Sequence, residues 1–197
     1  MKKYILIFCM VTTKLFADVS DEKDDLSIVY SKGVDSNLLD LPKDLITNDV
    51  VYINYTMLSV GYFRPFYADN TFGKKILLSY GGTVSQHFGD SLETTANVKF
   101  EVRDLLPVND YLNMSFKFYE GFSYNSGDKE YEDGTDKNPD RKYSFQHNMI
   151  FDLGFNLEAN SNIELLFRLH HRSGVYGLIA PRKVGSNFLG VGLNYKF

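Results

Sequence analysis

Past residue 17 the sequence contains no cysteine; its only one is Cys9. A disulfide framework and thiol chemistry are thereby excluded from the part of the chain expected to fold. No stretch after Val11 is apolar enough for a membrane helix, which needs about 20 such residues. No segment recurs at a solenoid period. There is no basic block, and a formal net charge of −4 argues against nucleic acid as a partner. Metal motifs are missing too. Asp128, Glu130, Glu132, Asp133 and Asp136 crowd residues 125–142, but their spacing matches no EF-hand, and a solvated charged loop is the simpler reading.

What is present begins with a leader. Lys2 and Lys3 precede the short apolar run Tyr4–Val11, and Leu15-Phe16-Ala17 ends on a small residue before Asp18. This layout predicts a secretory signal peptide over residues 1–17, cut after Ala17. Residues 18–197 then form one domain. Sixteen Phe and fourteen Tyr favour strands over helices. Mean hydropathy is slightly polar. A membrane barrel tolerates this, because only alternate residues meet lipid.

Alternation of period two recurs along the chain. Leu189, Val191, Leu193, Tyr195 and Phe197 share one face of the last strand, against Gly190, Gly192, Asn194 and Lys196. Segments 163–173, 143–157 and 112–124 alternate in the same way, and weaker candidates lie at 26–33, 50–63, 74–86 and 92–104. A soluble sandwich also alternates. The strands here are longer than the usual 5–6 residues, carry aromatics toward the ends of the apolar face, and finish on Asn-Tyr-Lys-Phe. The expected fold is therefore all-β: an eight-stranded antiparallel transmembrane β-barrel of the bacterial outer membrane. Phe197 resembles the terminal signal read by the outer-membrane assembly machinery, an expected partner. With both termini in the periplasm, inner turns fall at 64–73, 105–111 and 158–162, and outer loops at 34–49, 87–91, 125–142 and 174–186. His87 falls in a short outer turn and is read as incidental.

Chemistry is expected where polar groups interrupt the lipid-facing stripe, since a polar side chain there is costly without a use. Beyond Leu169 that face of the seventh strand carries His171 and Ser173; the eighth carries Asn187, the sixth His147, the fifth Glu120. Hairpin counting places 120 beside 147, 147 beside 173, and 173 beside 187, a polar row just under the outer rim. A nucleophilic serine needs a base and a group that orients the base. His171 is two residues from Ser173, about 6–7 Å of rise on the same face, and His147 is a competing base. Glu120 or Asn187 is available as the orienting group. The Gly174 amide and the Asn187 side chain are the candidate oxyanion donors. His170 and Arg172 fall on the opposite face and are read as lumen or rim groups.

The run Arg168-Leu-His-His-Arg-Ser-Gly174, a glycine-rich loop and a last strand ending in Phe resemble the lipid A deacylases of the PagL type. The resemblance covers mainly the last thirty residues and the barrel pattern. It implies His171 as general base, Ser173 as nucleophile, and hydrolysis of an ester-linked acyl chain of lipid A at the lipid-facing surface without metal or organic cofactor. The family has Asn after the serine and a glutamate about a dozen residues beyond it; Gly174 and Asn187 stand at those places, and no acidic residue follows Glu164. Arg182 and Lys183 are candidates to hold lipopolysaccharide phosphates, against a plain solvated loop. The expected partner is thus an outer-leaflet lipid. The competing expectation is a non-enzymatic small barrel with an adhesive or structural role. A porin is disfavoured, since eight strands leave little room for a channel.

Overall fold

The computed structural model describes residues 19–71, 73–88, 91–105, 107–109, 112–127, 143–156, 161–180 and 184–197. The expected leader over 1–17, the acidic residues Asp128–Asp136, and Arg182 and Lys183 lie outside them.

The alternating segments form β1 (Asp25–Val34), β2 (Tyr52–Thr71), β3 (Lys74–Phe88), β4 (Ser91–Arg103), the three-residue β5 (Pro107–Asn109), β6 (Leu112–Asn125), β7 (Phe145–Asn156), β8 (Ile163–Ser173) and β9 (Gly185–Lys196). A short helix, α1 (Leu41–Thr47), lies between β1 and β2, and a 3₁₀ turn (Val175–Gly177) follows β8. Each strand pairs antiparallel with its neighbour. β9 returns to β1, and β4 pairs with β6 past the short β5. The eight long strands therefore close into an antiparallel barrel, the expected fold, in which each of the eight is paired on both sides.

Two expected turns are mostly strand. Segment 64–73 is expected as an inner turn, although it contains Pro65, which lacks a ladder donor. Instead β2 continues to Thr71, opposite Lys74, and a bulge between Pro65 and Tyr67 absorbs the missing donor. The turn expected over 87–91 shrinks likewise, since β3 reaches Phe88 and β4 starts at Ser91. His87 is then not incidental: it is buried on the inward face of β3, 2.8 Å from Glu93 of β4.

Period-two alternation sorts the side chains into two environments. Ile28, Val60, Val98, Phe122, Leu165, Val191 and Leu193 face outward and are exposed. The inward face buries Lys99, Lys117, Arg168 and Arg172 among Asp25, Glu93, Glu101, Asp152 and Glu164. Buried charges of this kind are tolerable only when paired. Lys117 pairs with Glu164, Lys99 with Asp25 and Glu101, and Arg168 with Asp152. Glu93 takes His87 and His170, with Arg172 at 3.4 Å. These networks link strands that are not neighbours in the sheet, β1 with β4, β6 with β8 and β4 with β8.

Candidate functional site on the outward wall

Strand register sets the heights of the expected site residues. Glu120 pairs with Met149, Met149 with His171, His171 with Asn187, and Asn187 with Val34. One step nearer the loops, Phe122 pairs with His147, His147 with Ser173, and Ser173 with Gly185. The pairing of 147 with 173 is as expected. Those of 120 with 147 and of 173 with 187 are each displaced by two residues, because connection lengths do not reveal where pairing starts. A two-residue shift keeps every side chain on its face. All five groups therefore share the outward wall at two adjacent levels, and their strand neighbours Tyr119, Gln146, His170, Arg172 and Ser186 are buried inside.

Each imidazole has its own partner. His171 Nδ1 lies 2.7 Å from Asn187 Oδ1, and Asn187 Nδ2 donates to the Ser36 carbonyl at 2.6 Å. The Ser36 carbonyl can only accept, so it fixes the amide orientation and turns Oδ1 toward the ring. His171 must then carry its proton on Nδ1, which leaves the Nε2 lone pair free for a proton. The connection after β1 also covers Asn187, which is only 8% exposed. His147 Nε2 lies 2.5 Å from Glu120 Oε1, and its buried Nδ1 has no hydrogen-bond partner among the described residues. Phe122 meets the His147 ring edge-on at 6.3 Å. Ser173 is flanked by both rings, by His147 directly across the strand pair and by His171 two residues back along β8. Among the described residues no hydrogen bond joins Ser173 to either.

The expected oxyanion donors are largely committed. The Gly174 amide donates to the Val184 carbonyl at 3.1 Å, so it is not the free donor expected. Its carbonyl accepts from Ile179 and Ala180, folding the β8–β9 connection back over it. A Cβ at residue 174 would collide with the backbone carbonyl of Ala180, so close approach, not a special φ, requires glycine. Gly174→Ala is expected to destabilise the barrel by about 1–3 kcal/mol, read by denaturant titration. Unchanged stability would mean that the connection yields freely. Next to it Val175 holds φ 50°, strained for a β-branched residue by about 1–3 kcal/mol. Asn187 Nδ2 is committed to the Ser36 carbonyl, its one hydrogen bond among the described residues.

Sequence reasoning missed one contributor, the Ser36 carbonyl, which leaves no signal in residue type. Among the described residues no group of three His, Cys, Asp or Glu side chains is arranged to hold a metal ion.

No protein-family model matches the chain, and no characterised protein matches it by sequence. Solved structures do. The outer membrane enzyme PagL superimposes with a TM-score of 0.60 at 11% identity, over 88% of this chain and 99% of that one. A chain from the de novo design of transmembrane β-barrels gives 0.43 at 11%, covering 89% and 96%. Ail, the attachment invasion locus protein of Yersinia pestis, gives 0.41 at 12%, covering 89% and 99%. The likeness to PagL is one of fold: the eight-stranded barrel of an outer-membrane protein.

Proposed function

We propose that this chain is an outer-membrane lipid hydrolase that removes an ester-linked acyl chain from lipid A or a related glycolipid. The observation that carries the reading is the chain of contacts from the Ser36 carbonyl through Asn187 to His171, which leaves a basic nitrogen beside the strand position of Ser173. Ser173 Oγ attacks the ester carbonyl carbon while His171 Nε2 takes its proton. The tetrahedral intermediate collapses as His171 returns that proton to the departing alkoxide. Water, deprotonated by the same ring, then frees the fatty acid from Ser173. A site on the outward wall suits a substrate that arrives sideways in the outer leaflet. The large apolar side chains exposed on the neighbouring connections, Leu39, Ile46 and Leu178, suit acyl chains.

Mass spectrometry of lipid A from cells with and without the gene tests this directly. Loss of one acyl chain is expected in expressing cells, and identical lipid A in both would sink the proposal. His171→Ala is expected to lower kcat by about 10³-fold and His147→Ala by about tenfold. The reverse order would reassign the base to His147, backed by Glu120.

One observation favours a non-enzymatic barrel with an adhesive or structural role. Asn187 orients His171 but, being neutral, gives an imidazolium no charge support. The same lipid analysis separates the two readings.

A further inference from the structure

The connection after β1 turns onto the outside of the barrel instead of crossing its mouth. The outward residues Ile28 and Tyr30 of β1, and Val191 and Leu193 of β9, are about half exposed. Val34 and Asn187 face the same way and pair with each other, yet Val34 is 4% exposed and Asn187 is nearly as well covered. The Ser36 carbonyl lies on Asn187, and Leu41, the first residue of α1, is fully buried. The connection therefore rests against the lipid-facing wall.

Within its seven residues α1 is amphipathic. At about 100° per residue, Leu41, Pro42, Leu45 and Ile46 fall within about 140° of arc, and Lys43, Asp44 and Thr47 share the rest. Leu41 spends one edge of the apolar arc on the protein. The other edge is uncovered: Ile46 is 87% exposed. Leu39, which precedes the helix, is 83% exposed, and Val51 and Tyr52, which follow it, are each more than half exposed. Single exposed apolar residues are ordinary. Leu39, Leu45, Ile46, Val51 and Tyr52, five large ones within fourteen residues, form a patch.

We infer that α1 is an interfacial helix seated in the outer leaflet, with Leu39, Leu45 and Ile46 among the acyl chains of the lipids beside the barrel. Continuity points to lipid rather than to a second copy of the chain. The patch adjoins the wall of Ile28, Tyr30, Val60 and Val191, which is the barrel's lipid-facing surface. Tyr52 pairs with Val34 at the end of that wall, where an aromatic ring suits the headgroup level. A helix of this pattern lies in the plane of the interface and turns its polar arc to the headgroups. The seat does not rest on the hydrolase reading. It bears on it, because the same connection holds the Ser36 carbonyl on Asn187. The leaflet that carries the substrate then also steadies the group that orients His171.

The sequence contains no tryptophan, so a single introduced one reports alone. Ile46→Trp and Leu39→Trp are compared with Lys43→Trp on the polar arc and with Phe145→Trp at the outer end of β7. Each protein is refolded into phosphatidylcholine vesicles, with or without bromine on the upper part of the acyl chains, and its folding is checked by heat-modifiable mobility. Bromine is expected to lower the emission of Ile46→Trp and Leu39→Trp about twofold, as for Phe145→Trp, and to leave Lys43→Trp nearly unchanged. If Ile46→Trp and Leu39→Trp are both quenched no more than Lys43→Trp, the helix stands in water and the inference falls. Quenching that emerges only on dilution of the protein in lipid would give the face to a second copy and overturn it too. Lipid A left intact by the unaltered protein would sink the hydrolase reading and leave the quenching result standing.

Discussion

Ser173→Ala abolishes acyl-ester cleavage while leaving the barrel intact: that is the expected result, with a fall in rate of about 10⁴-fold. The size follows from the role. Without Oγ no acyl-enzyme forms, and only positioning and oxyanion contacts remain. The barrel survives because residue 173 contributes its backbone to pairing with His147 and Gly185, and alanine keeps that backbone. Among the described residues its side chain makes no hydrogen bond whose loss would unfold the strand end. Activity is read as fatty acid released from lipid A by the purified protein. Folding is read on the same sample by its heat-modifiable mobility in gel electrophoresis. A folded Ser173→Ala protein that retains more than a tenth of the activity would remove Ser173 from the nucleophile's role.

How much of this was legible in the sequence depends on which quantity is asked for. Facing is robust: alternation has period two, so Glu120, His147, His171, Ser173 and Asn187 were all assigned to the outward wall. Two-residue errors in pairing left that assignment untouched. Height is fragile, since it depends on where pairing begins after each connection and on bulges such as the one between Lys32 and Val34. Contacts between residues far apart in the chain were not legible at all. The Ser36 carbonyl meets Asn187 across 151 positions, and His170 meets Glu93 across 77. Nothing in either local sequence announces its partner. His87 is read from the sequence as incidental because it falls in an expected turn; β3 instead runs to Phe88, and the ring meets Glu93 across the hairpin and lies 5.3 Å from the ring of Phe188.

The second large effect lies inside the barrel. Asp152 and Arg168 face each other across the β7–β8 pair, both fully buried, with Arg168 Nε and Nη2 donating to the two carboxylate oxygens at 2.7 Å each. Tyr119 donates to the same carboxylate at 2.9 Å, and its ring lies 5.6 Å from the guanidinium carbon. Asp152→Ala removes the charge and strands the guanidinium in the lumen. The expected loss is about 3–5 kcal/mol, measured by denaturant titration of protein in lipid vesicles. A loss below about 1 kcal/mol would mean that water reaches the pair and screens it. The double variant Asp152→Leu, Arg168→Met is expected to recover most of the stability, because it removes both desolvation costs along with the attraction. It also separates the two faces of β8. Arg168 points inward three residues before His171, which points outward, so a double variant that refolds is expected to keep its ester hydrolysis. If activity fell while stability returned, the lumen pair would be holding His171 and Ser173 in place as well as holding the barrel closed.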